Sequence, residues 1–496
     1  MKIRKLTAIS MTACFGCLLL FQLQSCSEAQ EAGKATLPAT KKADLTVDRE
    51  GEDWPHFLGL TYDGVSRETG LLDKWPEQGP PTVWEIEVGT GYSAPSILGV
   101  RLVLHHRIDD EEIVQCFHTV TGESLWRYAY PSNFRDPYGY NNGPRCSPIL
   151  TKEHCFTLGA EGKIICLNIE DGTLVWKRDL QAEYDIPDNF FGVGATPILE
   201  GDKLIVLVGG QPNSGVVAFD PNTGNKLWEA VGKETWDGAE TGWPNDPEYT
   251  WEGDEKVVSY SSPIGATIHG KRHVLCLMRQ GLVSLDPETG EVNFKHWFRS
   301  RTHDSVNGAR PVVVDDTIML SAAYRVGADL LKVNPDGKSF EVVWSESRNL
   351  LTHWSTAIAL DGCFLGFSGR HENEGELRCI DAKTGDVKWV TSGYEDPSEL
   401  GRGEDNQIVN KETGKVVPWP FYGRGSKIMA DGKFIVFAER GTLALVEATT
   451  ESWQEISRFT APKMHYPCWT APVLSRGRLY LRCEDALICL DLKKEE

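Results

Sequence analysis

The chain has 496 residues, with 71 acidic against 51 basic side chains and a formal charge of −20. That balance excludes general binding to nucleic acid or to an anionic membrane surface, and leaves room only for a local basic site. Beyond the first residues, no stretch is long and apolar enough to span a bilayer.

The N-terminus reads Met1-Lys-Ile-Arg-Lys5 and then runs mostly apolar to Leu23-Gln-Ser-Cys26. Basic residues, a short apolar core and a small residue before a cleavage point describe a secretory signal over 1–26. Leu-x-Ser-Cys resembles the bacterial lipobox, which implies lipidation of Cys26. A plain signal peptide or a signal anchor is the alternative. Residues 27–50 lack apolar periodicity and are rich in Ala, Lys, Glu and Thr, so a flexible tether is expected before one domain over 51–496.

From there the chain repeats. Five stretches share one frame, ending in Trp126, Trp176, Trp228, Phe294 and Trp389, with turns such as Asp220-Pro-Asn-Thr-Gly224 and Asp381-Ala-Lys-Thr-Gly385. Looser copies end at Trp344 and Trp453, and Trp84 precedes the first full repeat. A period of about 40–50 residues built from short apolar strands predicts a β-propeller. Each unit opens on a small residue, often before proline, as at Ala94-Pro95, Ser147-Pro148 and Ala471-Pro472. The Asp or Asn of the turn bonds the backbone two residues on, and glycine accepts the positive φ of a tight hairpin. The tryptophan then fills the wedge between neighbouring sheets.

Eight openings and eight aromatics predict eight four-stranded antiparallel blades; seven is the alternative. The unit over 470–492 supplies three strands, and Thr82-Val-Trp-Glu-Ile-Glu-Val88 is the candidate fourth. A ring closed by strands from both ends leaves no unpaired edge. The whole is expected to be an all-β, monomeric propeller.

Setting aside Cys14, Cys17 and Cys26, ten cysteines remain, which in an oxidising compartment suggests disulfides. The repeat frame argues otherwise. Cys116, Cys166, Cys379 and Cys489 share a position that other blades give to Ala218, Ser284 and Ala444, a small buried slot. Cys146 and Cys468, both in loops, are the one pair left open to a link. Among these ten, no Cys-x-x-Cys or His/Cys cluster at zinc spacing occurs, so no metal site is expected.

Loops after the second and fourth strands of each blade share one face. Second strands end in Arg107, Arg279, Arg325, Arg370 and Arg440, with Arg482 nearby. Segments before the innermost strands add Tyr92, Arg145, Tyr260, Asn307, Arg310, His353, Trp354, Arg424, His465 and Trp469. One mouth of the channel is therefore expected to gather arginines and aromatics. Guanidinium suits carboxylate or phosphate, and aromatic faces stack on rings. Two readings stay open: a small anionic ligand or partner at the mouth, or ion pairs with Glu372, Glu374, Glu439, Glu484 and Asp485. Long insertions at 231–259, with Trp236, Trp243 and Trp251, and at 391–423 reach the same face as lids, docking surfaces or ornament. In Arg301-Thr-His-Asp-Ser-Val-Asn-Gly-Ala-Arg310, Asp304 is a candidate catalytic base and Asn307 a candidate oxygen ligand to calcium. Neither Gly-x-Ser-x-Gly nor a phosphate-cradling glycine loop is present.

Asp-x-x-Thr-Gly-x-x-x-Trp resembles the pyrroloquinoline-quinone (PQQ) repeat, shared by quinoprotein alcohol dehydrogenases and by the outer-membrane barrel-assembly lipoproteins of the BamB type. Asp53-Trp-Pro-His-Phe-Leu-Gly59, continuing through Asp63-Gly-Val-Ser66, is similar to the entry segment of many such propellers. The dehydrogenase branch implies a vicinal Cys-Cys disulfide, a calcium-held quinone and a catalytic aspartate. This chain has no adjacent cysteines and no Cys-x-x-Cys-His, and Trp236-Asp237-Gly238 is only a fragment of that branch's pattern. The resemblance therefore implies a BamB-like binding or assembly platform on the periplasmic side of the bacterial envelope, tied to the outer membrane through Cys26. No cofactor is required for that role. The partner is expected to be an envelope protein or a small anionic ligand. The alternatives are a PQQ- and calcium-dependent alcohol or sugar dehydrogenase, and a binder of acidic saccharides.

Overall fold

The computed structural model describes residues 45–187, 191–237, 257–302, 305–404, 407–417 and 419–494. These form eight four-stranded antiparallel sheets and one two-stranded hairpin. First strands of successive sheets touch one another, as 96–98 touches 149–150 and 312–314 touches 358–360, so they line the axis. Blade 1 is built from strands between residues 96 and 131, blade 2 from 149–179, blade 3 from 198–230 and blade 4 from 264–297. Blade 5 spans 312–346, blade 6 358–391 and blade 7 426–460. Blade 8 takes 473–475, 478–482 and 486–491 from the C-terminal end. Its fourth strand is Thr82–Glu87, antiparallel to Ala486–Asp491 with Trp84 opposite Cys489. The expected closure is present.

The repeat motif is a coupling device between blades. Each indole Nε1 donates to the carbonyl that follows the first residue of the next blade's turn: Trp84 to Thr119, Trp126 to Ile169, Trp176 to Pro221, Trp228 to Pro287 and Trp344 to Ala382, at 2.8–3.0 Å. The turn glycine sits under the same indole. Gly172 has φ +72°, and a Cβ there would lie 2.5 Å from Trp126 Cε3. Glycine is thus required twice, by backbone conformation and by the ring above it. Gly172→Ala is expected to lower unfolding free energy by roughly 2–5 kcal/mol, from left-handed strain plus overpacking. Gly201→Ala, at φ +59° with nothing within 4 Å, carries the first penalty alone. Equal shifts in denaturation midpoint for the two variants would refute the stapling role.

Blade 7 departs from the frame. Hairpin register pairs Leu445 with Ser457 just before the bulge, the slot in which the blades at 116, 166 and 218 pair a small residue with tryptophan. Ala444, expected in that slot, is one residue out of it and pairs with Arg458. Trp453 therefore lies before the outer strand rather than in it, and donates to Tyr422 Oη at 3.2 Å. The reason is local: Ala448-Thr-Thr-Glu-Ser replaces the Asp-x-x-Thr-Gly turn. Trp389 of blade 6 consequently finds no turn carbonyl, and its Nε1 is buried without a partner.

The small slot holds the four expected cysteines, opposite Trp126, Trp176, Trp389 and Trp84. All ten cysteines among the described residues are buried and free. Cys146 and Cys468 are thus not linked; each thiol faces a backbone carbonyl instead, Val193 and His465 respectively. The tether also ends earlier than expected. Arg49 makes a two-pronged bond to Asp491 at 3.0 and 2.7 Å, and Asp48 pairs with Arg478. Residues 45–50 are therefore held on blade 8.

The entry segment closes the channel end opposite the predicted mouth. Trp54 exchanges backbone bonds with Ile97 of blade 1, Pro55 accepts from Leu150 of blade 2, and Gly64 and Ser66 bond Met429 of blade 7. Between them, Arg310 of blade 5 donates to the carbonyls of Phe57 and Tyr62 at 3.3 and 3.1 Å. Gly59, at φ +82°, turns directly over the Trp54 ring. The segment thus crosses the axis and makes a floor. The start of the first insertion does not cover the mouth: Trp236, fully buried, packs edge-on against Trp297 of blade 4. Trp243 and Trp251 lie outside the described residues. The second insertion folds as the hairpin Leu400–Arg402 with Ile408–Asn410, and its return places Tyr422 in the core.

Candidate functional site

Small residues open each blade because their hydroxyls tie the inner ring together. Ala94 N donates to Ser147 Oγ, Ser147 N to Thr196 Oγ1, Thr196 N to Ser262 Oγ and Arg310 N to Thr356 Oγ1, each reaching the next blade. The residues just before these hydroxyls are therefore held around the axis, above the floor.

They enclose a cavity of about 360 Å³. Its wall carries Tyr92, Arg145, Tyr260, His353, Trp354, Arg370, Arg424 and Trp469 from the predicted set. Its lower part is lined by Phe57 and Leu58 of the entry segment and by Lys427. The aromatics form a nearly continuous belt. Centroid separations are 5.0 Å for Tyr92–Trp469, 5.1 Å for Trp354–Trp469, 4.7 Å for His353–Trp354, 5.4 Å for Tyr324–His353 and 5.6 Å for Phe191–Tyr260. Tyr138 and Tyr140 lean on Phe191 from the exposed lip.

Cations are laid on this belt. Arg370 lies 4.4 Å from the Tyr324 centroid, with no carboxylate in ion-pair range among the described residues. Arg424 lies over Trp354 and Trp469 at 4.7 and 5.2 Å, and is paired with buried Glu439, which also accepts from Trp469 Nε1 at 2.6 Å. Arg145 is paired with Asp136 at 2.8 Å. Lys427 is fully buried, with Thr356 O at 3.3 Å as its acceptor and the Phe367 ring 5.8 Å away. Burial pushes its pKa down to about 7. Burial, followed by the Arg424 and Arg370 charges, pushes His353 down to about 3, so it is neutral at physiological pH and bonds Tyr324 Oη at 3.1 Å. Among the described residues Asp136 is the single carboxylate on the wall, against three guanidinium groups and one amine. The cup therefore favours an anion in a protein that is otherwise strongly acidic.

The remaining predicted residues lie elsewhere. Arg310 is beneath the cup, fully buried; besides the entry-segment carbonyls it bonds those of Ser262 and Pro263, and burial lowers its pKa to about 10. Asn307 spends its side-chain amide on Met278 O and Phe298 O, which suits a loop brace rather than a calcium ligand. Arg279 is buried outside the cavity lining, and Arg325 is exposed at φ +64°. Arg440 stays on the rim, paired with Glu372 and stacked 4.4 Å over Trp419. Arg107 and Arg482 are buried struts satisfied chiefly by carbonyl oxygens. The ion-pair reading holds for Arg440, Arg424 and Arg145, whereas Arg370 and Lys427 have no carboxylate partner among the described residues. Asp304 lies outside the described residues.

The sequence reading missed Lys427, although a signal exists. By hairpin register it stands where other blades carry Pro95, Pro148, Pro197, Pro311 and Pro472. It also missed Tyr138, Tyr140 and Phe191, which come from loops outside the frame. On the rim, His465, Cys483 and Asp485 converge to within 4.8 Å of one another, a cluster hidden because it joins two loops of the last blade.

Eight blades, five of their joints stapled by indole, around a floored, aromatic cup define a PQQ-repeat propeller. The chain belongs to the family described as outer membrane protein assembly factor BamB, whose profile matches residues 109–235 and 212–495. Among solved structures it is similar to BamB from Moraxella catarrhalis, at 14% identity and TM-score 0.52, covering 83% of this chain and 99% of that one. It is also similar to the quinohemoprotein alcohol dehydrogenase from Comamonas testosteroni, at 12% identity and TM-score 0.56, covering 90% and 81%. At these identities the likeness is one of fold. Among curated proteins, none matches the sequence.

Proposed function

We propose that the protein is a binding component of the bacterial cell envelope whose cup holds a small anionic, ring-bearing ligand of the acidic-saccharide class. One observation carries this reading: a blind aromatic cup presents Arg370 and Lys427, without carboxylate partners among the described residues, above a floor made by residues 53–66. Its volume, about 360 Å³, falls in the range of small-ligand sites. Tryptophan and tyrosine faces suit the apolar face of a sugar ring, while Arg370 and Lys427 suit its carboxylate. Family membership supports the envelope location, and the Leu23–Cys26 motif supports a lipid anchor at Cys26.

A calcium-held quinone fits the described residues poorly. The wall offers one carboxylate, Asp136, already held by Arg145, whereas calcium takes six to eight oxygens. No redox step is therefore derived. A BamB-like assembly role remains the second reading, favoured by family membership and by the exposed rim tyrosines Tyr138, Tyr140 and Tyr466. Crosslinking from that rim in cells is expected to capture an envelope protein if it holds.

The ligand reading is tested by titrating uronic-acid oligosaccharides while following tryptophan emission. Saturable quenching is expected, at least about tenfold weaker for the neutral sugars and for Arg370→Ala, one charged hydrogen-bonding partner being lost in each case. Absence of saturable binding by every acidic saccharide would eliminate the proposal.

A further inference from the structure

We infer that His465, Cys483 and Asp485 form a site for a zinc-class divalent ion on the rim, separate from the cup. The three donor atoms lie within 4.8 Å of one another. His465 Nε2 is 2.8 Å and Cys483 Sγ 3.3 Å from Asp485 Oδ1. Tetrahedral zinc, with bonds of about 2.0 Å to nitrogen and oxygen and 2.3 Å to sulfur, separates its ligands by about 3.2–3.8 Å. Side-chain shifts well under a turn of either loop therefore open the cluster around an ion.

The backbone already holds these donors. Cys483 N donates to Ala486 O at 3.1 Å, and Val88 N donates to Asp485 O at 2.9 Å. Glu484, between two of the ligands, accepts from Tyr92 Oη at 3.0 Å and Asn141 Nδ2 at 2.8 Å, which pins the loop to its neighbour. His465 Nδ1 faces Tyr466 O at 3.1 Å. As an N–H donor there, Nδ1 leaves the Nε2 lone pair for the ion, the usual outer support of a histidine ligand. Cys483 is buried while His465 and Asp485 are exposed, so the fourth position opens to solvent and takes water.

Imidazole, thiolate and carboxylate together select zinc over calcium or magnesium, which prefer oxygen alone. Binding converts the Cys483 thiol to thiolate and releases its proton to solvent. A second thiol, Cys468, donates to His465 O at 3.0 Å but is outside the three-donor group. It serves as the control.

The experiment uses tag-free full chain, reduced and stripped by chelator, titrated with cobalt(II) and then zinc(II). One equivalent of cobalt is expected to give a thiolate charge-transfer band and the visible bands of a tetrahedral ion, both erased by zinc. Cys483→Ser should remove the charge-transfer band and weaken zinc binding at least about 100-fold, more than loss of an outer-shell partner does. Cys468→Ser should leave both unchanged. His465→Ala, at an exposed position, keeps the question answerable should Cys483→Ser not fold, and should likewise abolish the tetrahedral spectrum. A wild-type protein without the thiolate band, or either ligand variant with wild-type affinity, overturns the assignment. So does a Cys468–Cys483 disulfide in protein purified from cells without reductant.

Discussion

Replacing Trp84 with alanine is expected to lower unfolding free energy by roughly 3–5 kcal/mol and to broaden the transition. Trp84 is nearly buried, bonds Thr119 O at 2.9 Å and covers Gly122, so its local contacts equal those of Trp126 or Trp228. Its position is different. It sits in the strand that brings residues 82–87 onto 486–491, so its loss weakens the one blade whose strands come from both ends of the domain. Loop closure over that separation is overcome within no other blade. Trp84→Phe keeps most of the buried area but not the donor, and should cost about 1 kcal/mol. Val83→Ala, at an exposed neighbouring position, should be close to neutral. Chemical denaturation checks the series; a Trp84→Ala midpoint no lower than that of Val83→Ala would contradict the closure.

The second large effect concerns Lys427→Met. Methionine matches the lysine stem without its charge, so the variant is expected to be more stable than wild type at pH 7 and below. The sign follows from linkage. The folded-state pKa is about 7 against 10.5 for an ordinary lysine, so between those values the unfolded chain binds the proton and the folded protein does not. Wild-type stability relative to the variant therefore rises with pH across this window. The gap is on the order of 5 kcal/mol below pH 7 and closes by about pH 10.5. Taking the difference between the two proteins removes the buried thiols that also titrate in alkali. An acidic ligand restores the ammonium form, so wild-type affinity should fall as pH rises above 7, and Lys427→Met should bind weakly at all pH. A variant equal to wild type in both stability and binding would show that the amine is neither strained nor used.

Much of the fold is legible because the repeat is a physical code rather than a decoration. Asp-x-x-Thr-Gly specifies a left-handed turn, and the tryptophan eight residues after the aspartate specifies the neighbour that covers the next one. Blade 7 departs at Trp453 because its turn lacks glycine; there register, not motif, decides, and Ser457 takes the position that tryptophan holds elsewhere. The upper cup was legible at Tyr92, His353, Trp354, Arg424 and Trp469, since residues ahead of an inner strand have little freedom of direction. Arginines at the ends of second strands have more. Arg370 turns inward onto Tyr324, Arg440 outward onto Glu372, and Arg325 lies exposed in a tight turn whose course no periodicity encodes. The floor was illegible for a different reason. It depends on residues 53–66 meeting Ile97, Leu150, Arg310 and Met429, contacts far apart in the chain that leave no periodic trace.

The base of the cup and the clasp of the ring both come from residues 48–87, yet each needs partners made last, around Met429, Arg476 and Ala486. During synthesis the earliest part of the domain must therefore wait, unsatisfied, for the latest. A chain cut short before its final blade keeps the floor partners at Ile97, Leu150, Arg310 and Met429 but has no fastened perimeter. The rigidity of the mouth is consequently a property of finished molecules alone, because a nascent or clipped copy leaves the ring open beside it.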